Sequence, residues 1–147
     1  WVFDNASVSG DAKVFGDARV FDNAWVFDNA SVSGDAKVFG DAWVSGNARV
    51  SGDAEVFGEA DVFGDAKVCG NAKVSEDADY TTVKGFGTKF RTTTFFRCKD
   101  GVTRVRCGCF YGDLEHFRKQ VKATRKGKIA EEYLMIADLM EKHFKEE

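Results

Sequence analysis

Residues 1–78 read WVFDNA-SVSGDA-KVFGDA-RVFDNA-WVFDNA-SVSGDA-KVFGDA-WVSGNA-RVSGDA-EVFGEA-DVFGDA-KVCGNA-KVSEDA, which divides without remainder into thirteen hexads. Every hexad has valine in its second position and alanine in its sixth. The fifth position is always Asp, Asn or Glu, and the fourth is Gly in nine hexads, Asp in three and Glu in one. Self-similarity at a fixed short period indicates a repeat architecture.

The hexad predicts a short strand followed by a tight corner. Valine favours a strand and packs inward, whereas Gly followed by Asp or Asn supplies the positive-φ backbone that a corner needs. Six residues are too few for a helix, and one hexad alone buries almost nothing. We therefore expect the hexads to stack into a solenoid, in which each unit is stabilised by its neighbours.

The V-x-G-[DN]-A-x unit resembles the hexapeptide-repeat family of left-handed β-helices. The resemblance implies a mainly β fold, in which residues 1–78 form a left-handed parallel β-helix with three hexads, or 18 residues, in each coil. Residues 79–147 lack the repeat and are expected to form a small ββαα C-terminal domain. Segments of this tail, Phe-Arg-Cys-Lys-Asp-Gly at 96–101 and Arg-Cys-Gly-Cys-Phe at 106–110, resemble an uncharacterised tail found behind such repeats in phage and prophage proteins.

The tail sequence predicts a β-hairpin followed by two helices. After a polar crossing segment at 80–88, strands are expected over 92–98 and 102–110 around an Asp100-Gly101 turn. Asp113 is placed to cap a first helix, and a second should bury an apolar stripe. That stripe is Ile129, Tyr133, Ile136, Met140 and Phe144. We expect this domain to cap the solenoid, because open strand edges invite association.

A two-residue turn at Asp100-Gly101 would pair Lys99 with Val102, Cys98 with Thr103 and Phe96 with Val105. The cations of the hairpin would then share one face, with Arg91 extending the row; they are Arg97, Lys99, Arg104 and Arg106. Because like charges across a hairpin repel, this face is either merely solvated or binds an anionic ligand, such as a nucleotide, nucleic acid or acidic protein. The chain is also asymmetric: residues 1–78 hold 6 Lys and Arg against 14 Asp and Glu, and residues 79–147 hold 15 against 10.

The enzymes of the hexapeptide-repeat family suggest activities that this sequence mostly lacks. The resemblance implies a histidine base for acyltransferases and three histidine ligands for zinc carbonic anhydrases, yet residues 1–78 contain no histidine. The two histidines, His116 and His143, fall on the predicted helices. We therefore predict a non-catalytic protein without metal or cofactor, and keep an acyltransferase that uses His116 between subunits as the alternative. Cys98, Cys107 and Cys109 are expected to be small buried hydrophobes, because a C-x-C pair on a strand chelates zinc poorly.

Every third hexad should lie on the same side of the solenoid, which sorts the outward residues into three columns. The first side carries Phe3, Phe21, Phe39 and Phe57, and the second carries Trp25, Trp43, Phe27 and Phe63. The third carries Lys13, Ser31, Arg49 and Lys67, beside Phe15, Ser33, Ser51 and Cys69. The aromatic columns either stabilise the solenoid by stacking or form an interface. Self-association as a dimer or trimer is our first expectation, with a host or phage protein as another partner.

No apolar run is long enough to cross a bilayer, no signal peptide is recognisable, and four clustered cysteines favour reduced thiols. These features predict a cytoplasmic protein without membrane contact. The solenoid without histidine, the basic hairpin face and the aromatic columns suggest a binding solenoid. If the tail is of phage origin, as its resemblance implies, this solenoid would inhibit or sequester a host defence component, or else be a structural phage component.

Overall fold

A computed structural model of the chain describes residues 1–87, 91–108 and 110–145. Strands β1 to β12 are two residues each and lie at the start of successive hexads. Their bounds are Ser7–Val8, Lys13–Val14, Arg19–Val20, Trp25–Val26, Ser31–Val32, Lys37–Val38, Trp43–Val44, Arg49–Val50, Glu55–Val56, Asp61–Val62, Lys67–Val68 and Lys73–Val74.

The twelve strands form the three walls of a parallel β-solenoid of about four turns. The sheets run β1-β4-β7-β10, β2-β5-β8-β11 and β3-β6-β9-β12. Paired residues are 18 positions apart, as in Val8 with Val26 and Val26 with Val44. The predicted mainly β fold, the 18-residue coil and the sorting of hexads onto three sides are therefore confirmed.

The interior contains the repeated valines and alanines. From Ala18 to Val74 these side chains are at most 1% exposed, whereas Val2 in the first coil is 46% exposed. Each corner places its fourth residue at positive φ, usually glycine, and Asp28 adopts the same conformation at 57°. The Asp28 carboxylate accepts a hydrogen bond from the Gly46 amide of the next coil at 3.2 Å. Aspartate therefore replaces glycine where its side chain binds the neighbouring corner.

The thirteenth hexad contributes strand β12 to the solenoid, and the chain leaves the coil after it. Its fourth residue, Glu76, has an extended backbone with φ −152°, and a single 3₁₀ turn, Asp77–Asp79, follows. Ala78 is consequently exposed, unlike the alanines of the preceding hexads. The Asp79 carboxylate stabilises this change of chain direction, because it accepts hydrogen bonds from the Ser75 amide and hydroxyl at 2.9 Å.

The C-terminal domain contains four strands, not the two predicted. They are β13 (Tyr80–Phe86), β14 (Arg91–Arg97), β15 (Thr103–Cys107) and β16 (Phe110–Asp113), antiparallel and in that order. The expected crossing segment is thus strand β13, and Gly108, at φ 58°, separates β15 from β16.

Two helices follow the sheet, as predicted: α1 (Leu114–Thr124) and α2 (Gly127–Phe144). Asp113 is the N-cap of α1 and accepts a hydrogen bond from the His116 amide at 2.8 Å. Tyr133, Met140 and Phe144 of the predicted stripe are buried, and Ile129 and Ile136 are half-buried.

The sheet and the 3₁₀ turn cover the last coil of the solenoid. The Lys67 amide donates to Thr94 Oγ1 at 3.0 Å, and the Asp61 amide donates to Asp77 Oδ1 at 3.0 Å. Lys99 donates its backbone N–H to the Asn71 carbonyl at 2.9 Å. These bonds satisfy backbone groups that an open coil would leave unpaired.

Candidate functional site

The register of the β14–β15 hairpin decides where the predicted basic residues lie. Arg97 pairs with Thr103 and Phe96 with Arg104, so the predicted register is wrong by one residue. The loop has three residues, because Gly101 adopts φ 80° and Cys98 closes the turn with Val102 at 3.1 Å. A glycine in this conformation adds one residue to a two-residue turn, as in a G1 bulge.

The one-residue shift separates cations that were expected on a common face. Arg104 and Arg106 lie on the side of the sheet that faces the solenoid, whereas Arg97 lies on the side that faces the helices. Arg97 Nε lies 3.1 Å from Asp79 Oδ1, and its guanidinium covers the Phe144 ring at 5.5 Å. The side chain of Arg91 lies outside the described part of the structure. The prediction of one shared basic face is therefore wrong, and anion binding by the hairpin stays a prediction.

Lys99 and Arg104 are engaged within the protein. Lys99 Nζ lies 3.3 Å from Glu55 Oε1 and 2.9 Å from the Asp53 carbonyl, so it ties the hairpin to the acidic solenoid. Arg104 forms two bonds of 2.9 Å with the Asp100 carboxylate. Hydrogen bonding to this guanidinium lowers the pKa of Asp100 to about 2.

Arg106 differs from the other hairpin cations, because it projects over the third side of the solenoid. It lines a cavity of about 440 Å³ together with Lys13, Arg49, Lys67 and Phe15. Its Nε atom is buried, and within residues 1–87, 91–108 and 110–145 no acceptor bonds to it. The sequence reveals the cationic column of the third side but not that Arg106 joins it, because their proximity depends on how the sheet sits on the last coil.

The aromatic column of the first side forms a continuous stack, as its spacing predicts. The ring centroids of Phe3, Phe21, Phe39 and Phe57 are separated in turn by 5.0, 4.9 and 5.0 Å, with neighbouring planes within 4° of parallel. Phe21, Phe39 and Phe57 are half-buried as a result. The internal stacking interpretation therefore holds for this column, and Phe3, 43% exposed, lies at its open end.

The aromatic column of the second side is more exposed. Trp25 and Trp43 stack at 5.2 Å, and Phe27 packs edge-on against Trp43 at 5.9 Å. Trp25, Trp43 and Phe63 nevertheless keep 46%, 44% and 57% of their surface exposed. We call Trp25, Trp43, Phe27 and Phe63 the aromatic strip.

The thiols and the histidines do not converge on one site. Cys98 packs with the solenoid core, whereas Cys107 packs with the helices, so the expectation that they share a face is wrong for the same register reason. Cys109 lies outside the described residues. Burial raises the pKa of Cys98. Across the described ranges, no three His, Cys, Asp or Glu side chains are grouped to hold a metal ion.

His116 and Asp113 form a close side-chain pair. The hydrogen bond from the His116 amide lowers the pKa of Asp113, and so does His116 Nδ1, which lies 2.6 Å from Asp113 Oδ1. His143 Nε2 lies 3.2 Å from the Ala78 carbonyl. His116 therefore has a second ring nitrogen, Nε2, that this carboxylate does not engage.

The comparisons with known proteins return no matching family model, no similar curated protein and no similar solved structure. Neither described helix is both long enough and apolar enough to cross a lipid bilayer.

Proposed function

We propose that the protein is a non-catalytic interaction module that associates with a second copy of itself through the aromatic strip. The observation that carries the proposal is the exposure of Trp25, Trp43 and Phe63 side by side on a flat wall. At roughly half of 150–250 Å² each, these three residues present about 300 Å² of apolar surface. Contiguous patches of this size on soluble proteins are often functional.

The regular pitch of the wall supports a second copy as the partner. The two tryptophans of the strip are 18 positions apart and stack at 5.2 Å, one coil apart, whereas Phe27 and Phe63 are 36 positions and therefore two coils apart. Another copy presents the same spacing, and two such columns can interdigitate along their whole length. An unrelated surface has no reason to match this pitch, whereas a self-complementary patch suits the symmetric contacts of homo-oligomers.

The test is the molar mass in solution of the full chain and of Trp25→Ser/Trp43→Ser. Serine is tolerated at this position of the hexad, because Ser7 and Ser31 occupy it in other coils. We expect a dimer or trimer for the unchanged chain and a monomer for the double variant. The matched control is Trp1→Ser, which removes a tryptophan that is 75% exposed on the first side. A monomeric unchanged chain, or a double variant with unchanged mass, refutes the proposal.

A binding role also accommodates inhibition of a host defence component, which the solenoid without histidine and the aromatic columns suggest if the chain is of phage origin. A host protein would then occupy the aromatic strip in place of the second copy. Competition decides between the partners: a host protein that binds the strip dissociates the oligomer, and Trp25→Ser/Trp43→Ser abolishes both associations.

The second candidate function is an acyltransferase, which is favoured by the His116–Asp113 pair. A carboxylate on Nδ1 orients a histidine so that Nε2 can act as a base. In this hypothesis a neighbouring copy brings its solenoid wall to His116. It predicts heat on titration with an acyl-coenzyme A and turnover that His116→Asn abolishes. If neither heat of binding nor turnover is detected, the acyltransferase hypothesis is wrong, and the proposed interaction module is unaffected.

A further inference from the structure

The third side of the solenoid carries a group of four positive charges. The cavity of about 440 Å³ beneath the C-terminal sheet is lined by Lys13, Arg49, Lys67 and Arg106, and no described carboxylate lines it. Arg49 and Lys67 are direct partners in the β8–β11 ladder. Like charges paired across a ladder destabilise it, so this arrangement favours a bound anion.

None of these four cations has an ion-pair partner in the described part of the chain, although acidic residues are abundant in the solenoid. By contrast, Lys84, Arg97, Lys99 and Arg104 each lie within 4.0 Å of a carboxylate, at Asp65, Asp79, Glu55 and Asp100. The neighbouring larger groove shares Lys13, Arg49 and Lys67 with this cavity and also contains Asp11 and Asp65. The cavity beside Arg106 is therefore the better anion site of the two, because no described carboxylate lines it. Four cations without an ion-pair partner among the described residues thus line one cavity.

Arg106 supplies an independent observation. Its Nε is buried without an acceptor among the described residues. A buried donor without an acceptor is destabilising, and an anion within the cavity would supply the missing acceptor. The guanidinium, with its planar set of donors, is suited to the oxygens of a phosphate group.

The opposite end of the cavity is apolar. Phe15, in the first coil, is 56% exposed. Above it the column continues with the small residues Ser33, Ser51 and Cys69, so the wall between Phe15 and the sheet is open. Three coil spacings of about 4.8 Å separate Phe15 from Cys69, or about 14 Å.

We propose that this cavity binds a small organic phosphate, with its phosphate groups at Arg49, Lys67 and Arg106 and its organic part against Phe15. The volume lies within the range of small-molecule sites, about 300–1,000 Å³. The site lies on a different side from the aromatic strip, so it stands or falls separately from the proposed self-association.

Isothermal titration calorimetry of the full chain at low salt tests the proposal with three probes. Inorganic pyrophosphate tests the charge alone, a nucleoside diphosphate adds a ring for Phe15, and a sugar bisphosphate adds a polar organic part. We expect binding of pyrophosphate and tighter binding of one organic phosphate. The organic probe that binds more tightly shows whether the organic part of the ligand is a nucleoside or a sugar.

The repeat itself supplies the substitutions. Arg49→Ser copies Ser31 one coil below, and we expect it to weaken phosphate binding by about tenfold or more, as loss of a charged hydrogen bond does. Arg106→Gln should act similarly, and Arg49→Ser keeps the test valid if the Arg106 variant does not fold. The matched control is Arg19→Ser, at the same hexad position on the first side, which should leave the affinity unchanged. Phe15→Ser, which copies Ser33, should weaken the organic probe and spare pyrophosphate.

Failure of all three probes to bind overturns the proposal. So does an equal loss of affinity in Arg49→Ser and Arg19→Ser, because binding would then follow net charge and not the cavity. An equal loss for both probe types in Phe15→Ser overturns the placement of the organic part. The test of the aromatic strip measures molar mass and concerns the second side, whereas the titrations measure phosphate affinity on the third side. Failure of one proposal can therefore be told apart from failure of the other.

Discussion

Replacing the corner glycine Gly46 by alanine should cost more stability than the same change at Gly64. Both residues have positive φ, 65° and 69°, so alanine pays the same conformational cost at each. A Cβ at Gly46 would lie 2.9 Å from the backbone nitrogen of Gly64, which stacks directly above it. A Cβ at Gly64 meets nothing within 4 Å. The pair therefore separates the cost of the backbone conformation from the cost of stacking the coils.

The expected magnitudes follow from these two contributions. The left-handed conformation costs alanine about 1–2 kcal/mol, reduced by the lower entropy of the unfolded chain to about 1 kcal/mol. Crowding against a backbone that is itself packed adds about 1–3 kcal/mol. We thus expect the free energy of unfolding to fall by about 1 kcal/mol in Gly64→Ala and about 3 kcal/mol in Gly46→Ala.

A third variant, Gly46→Asn, tests the role of a side-chain acceptor at the corner. Asparagine tolerates positive φ, and its oxygen can accept from Gly64 N–H as Asp28 accepts from Gly46 N–H. We expect it to recover about 1 kcal/mol of the alanine loss.

Urea titrations followed by circular dichroism measure all three variants. If Gly46→Ala and Gly64→Ala lose the same stability within about 0.5 kcal/mol, the close approach of stacked corners is irrelevant and the reasoning is wrong. A Gly46→Asn variant less stable than Gly46→Ala contradicts the hydrogen bond between corners.

Three further predictions concern titration and the repeat. The Asp100 carboxyl should titrate near pH 2 by NMR, and Arg104→Gln should return its pKa toward about 4, since Arg104 holds it down. Burial raises the pKa of Tyr80 to about 12, so its contribution to stability is complete below about pH 10 and is lost as the pH rises toward 12. Urea midpoints should fall over that range, and less so in Tyr80→Phe. Deletion of residues 19–36 removes one whole coil and should preserve the fold by circular dichroism, whereas deletion of 19–27 breaks the hexad phase and should unfold the solenoid.

Most of the solenoid could be predicted before the structure, because the hexad period identifies the inward valines and alanines and the corners. The 18-residue coil, and with it the three outer columns, came from the resemblance to left-handed β-helices, since a six-residue period alone does not fix how many hexads make one coil. Only the corner of the last hexad differs from the repeat, and the sequence shows why. Glu76 is the single glutamate at a position otherwise held by Gly or Asp, and it lacks the positive φ of a corner.

The C-terminal domain was less predictable, because its elements depend on tertiary contacts. Strand β13 contains Gly85 at φ 98° and an irregular register between Val83 and Phe86, which obscures its alternation. The hairpin register depends on the conformation of Gly101, which the dipeptide Asp-Gly does not determine. That one residue moved Arg97 to the opposite face from Arg104 and Arg106.

The distance between Phe15 and the overhanging sheet is set by the number of coils between them. Each coil lengthens the wall by about 5 Å without altering the residues at either end. Gain or loss of 18 residues between these ends would therefore change the length of the cavity by one coil at a time. Phe15 and Arg106 would keep their places at its two ends.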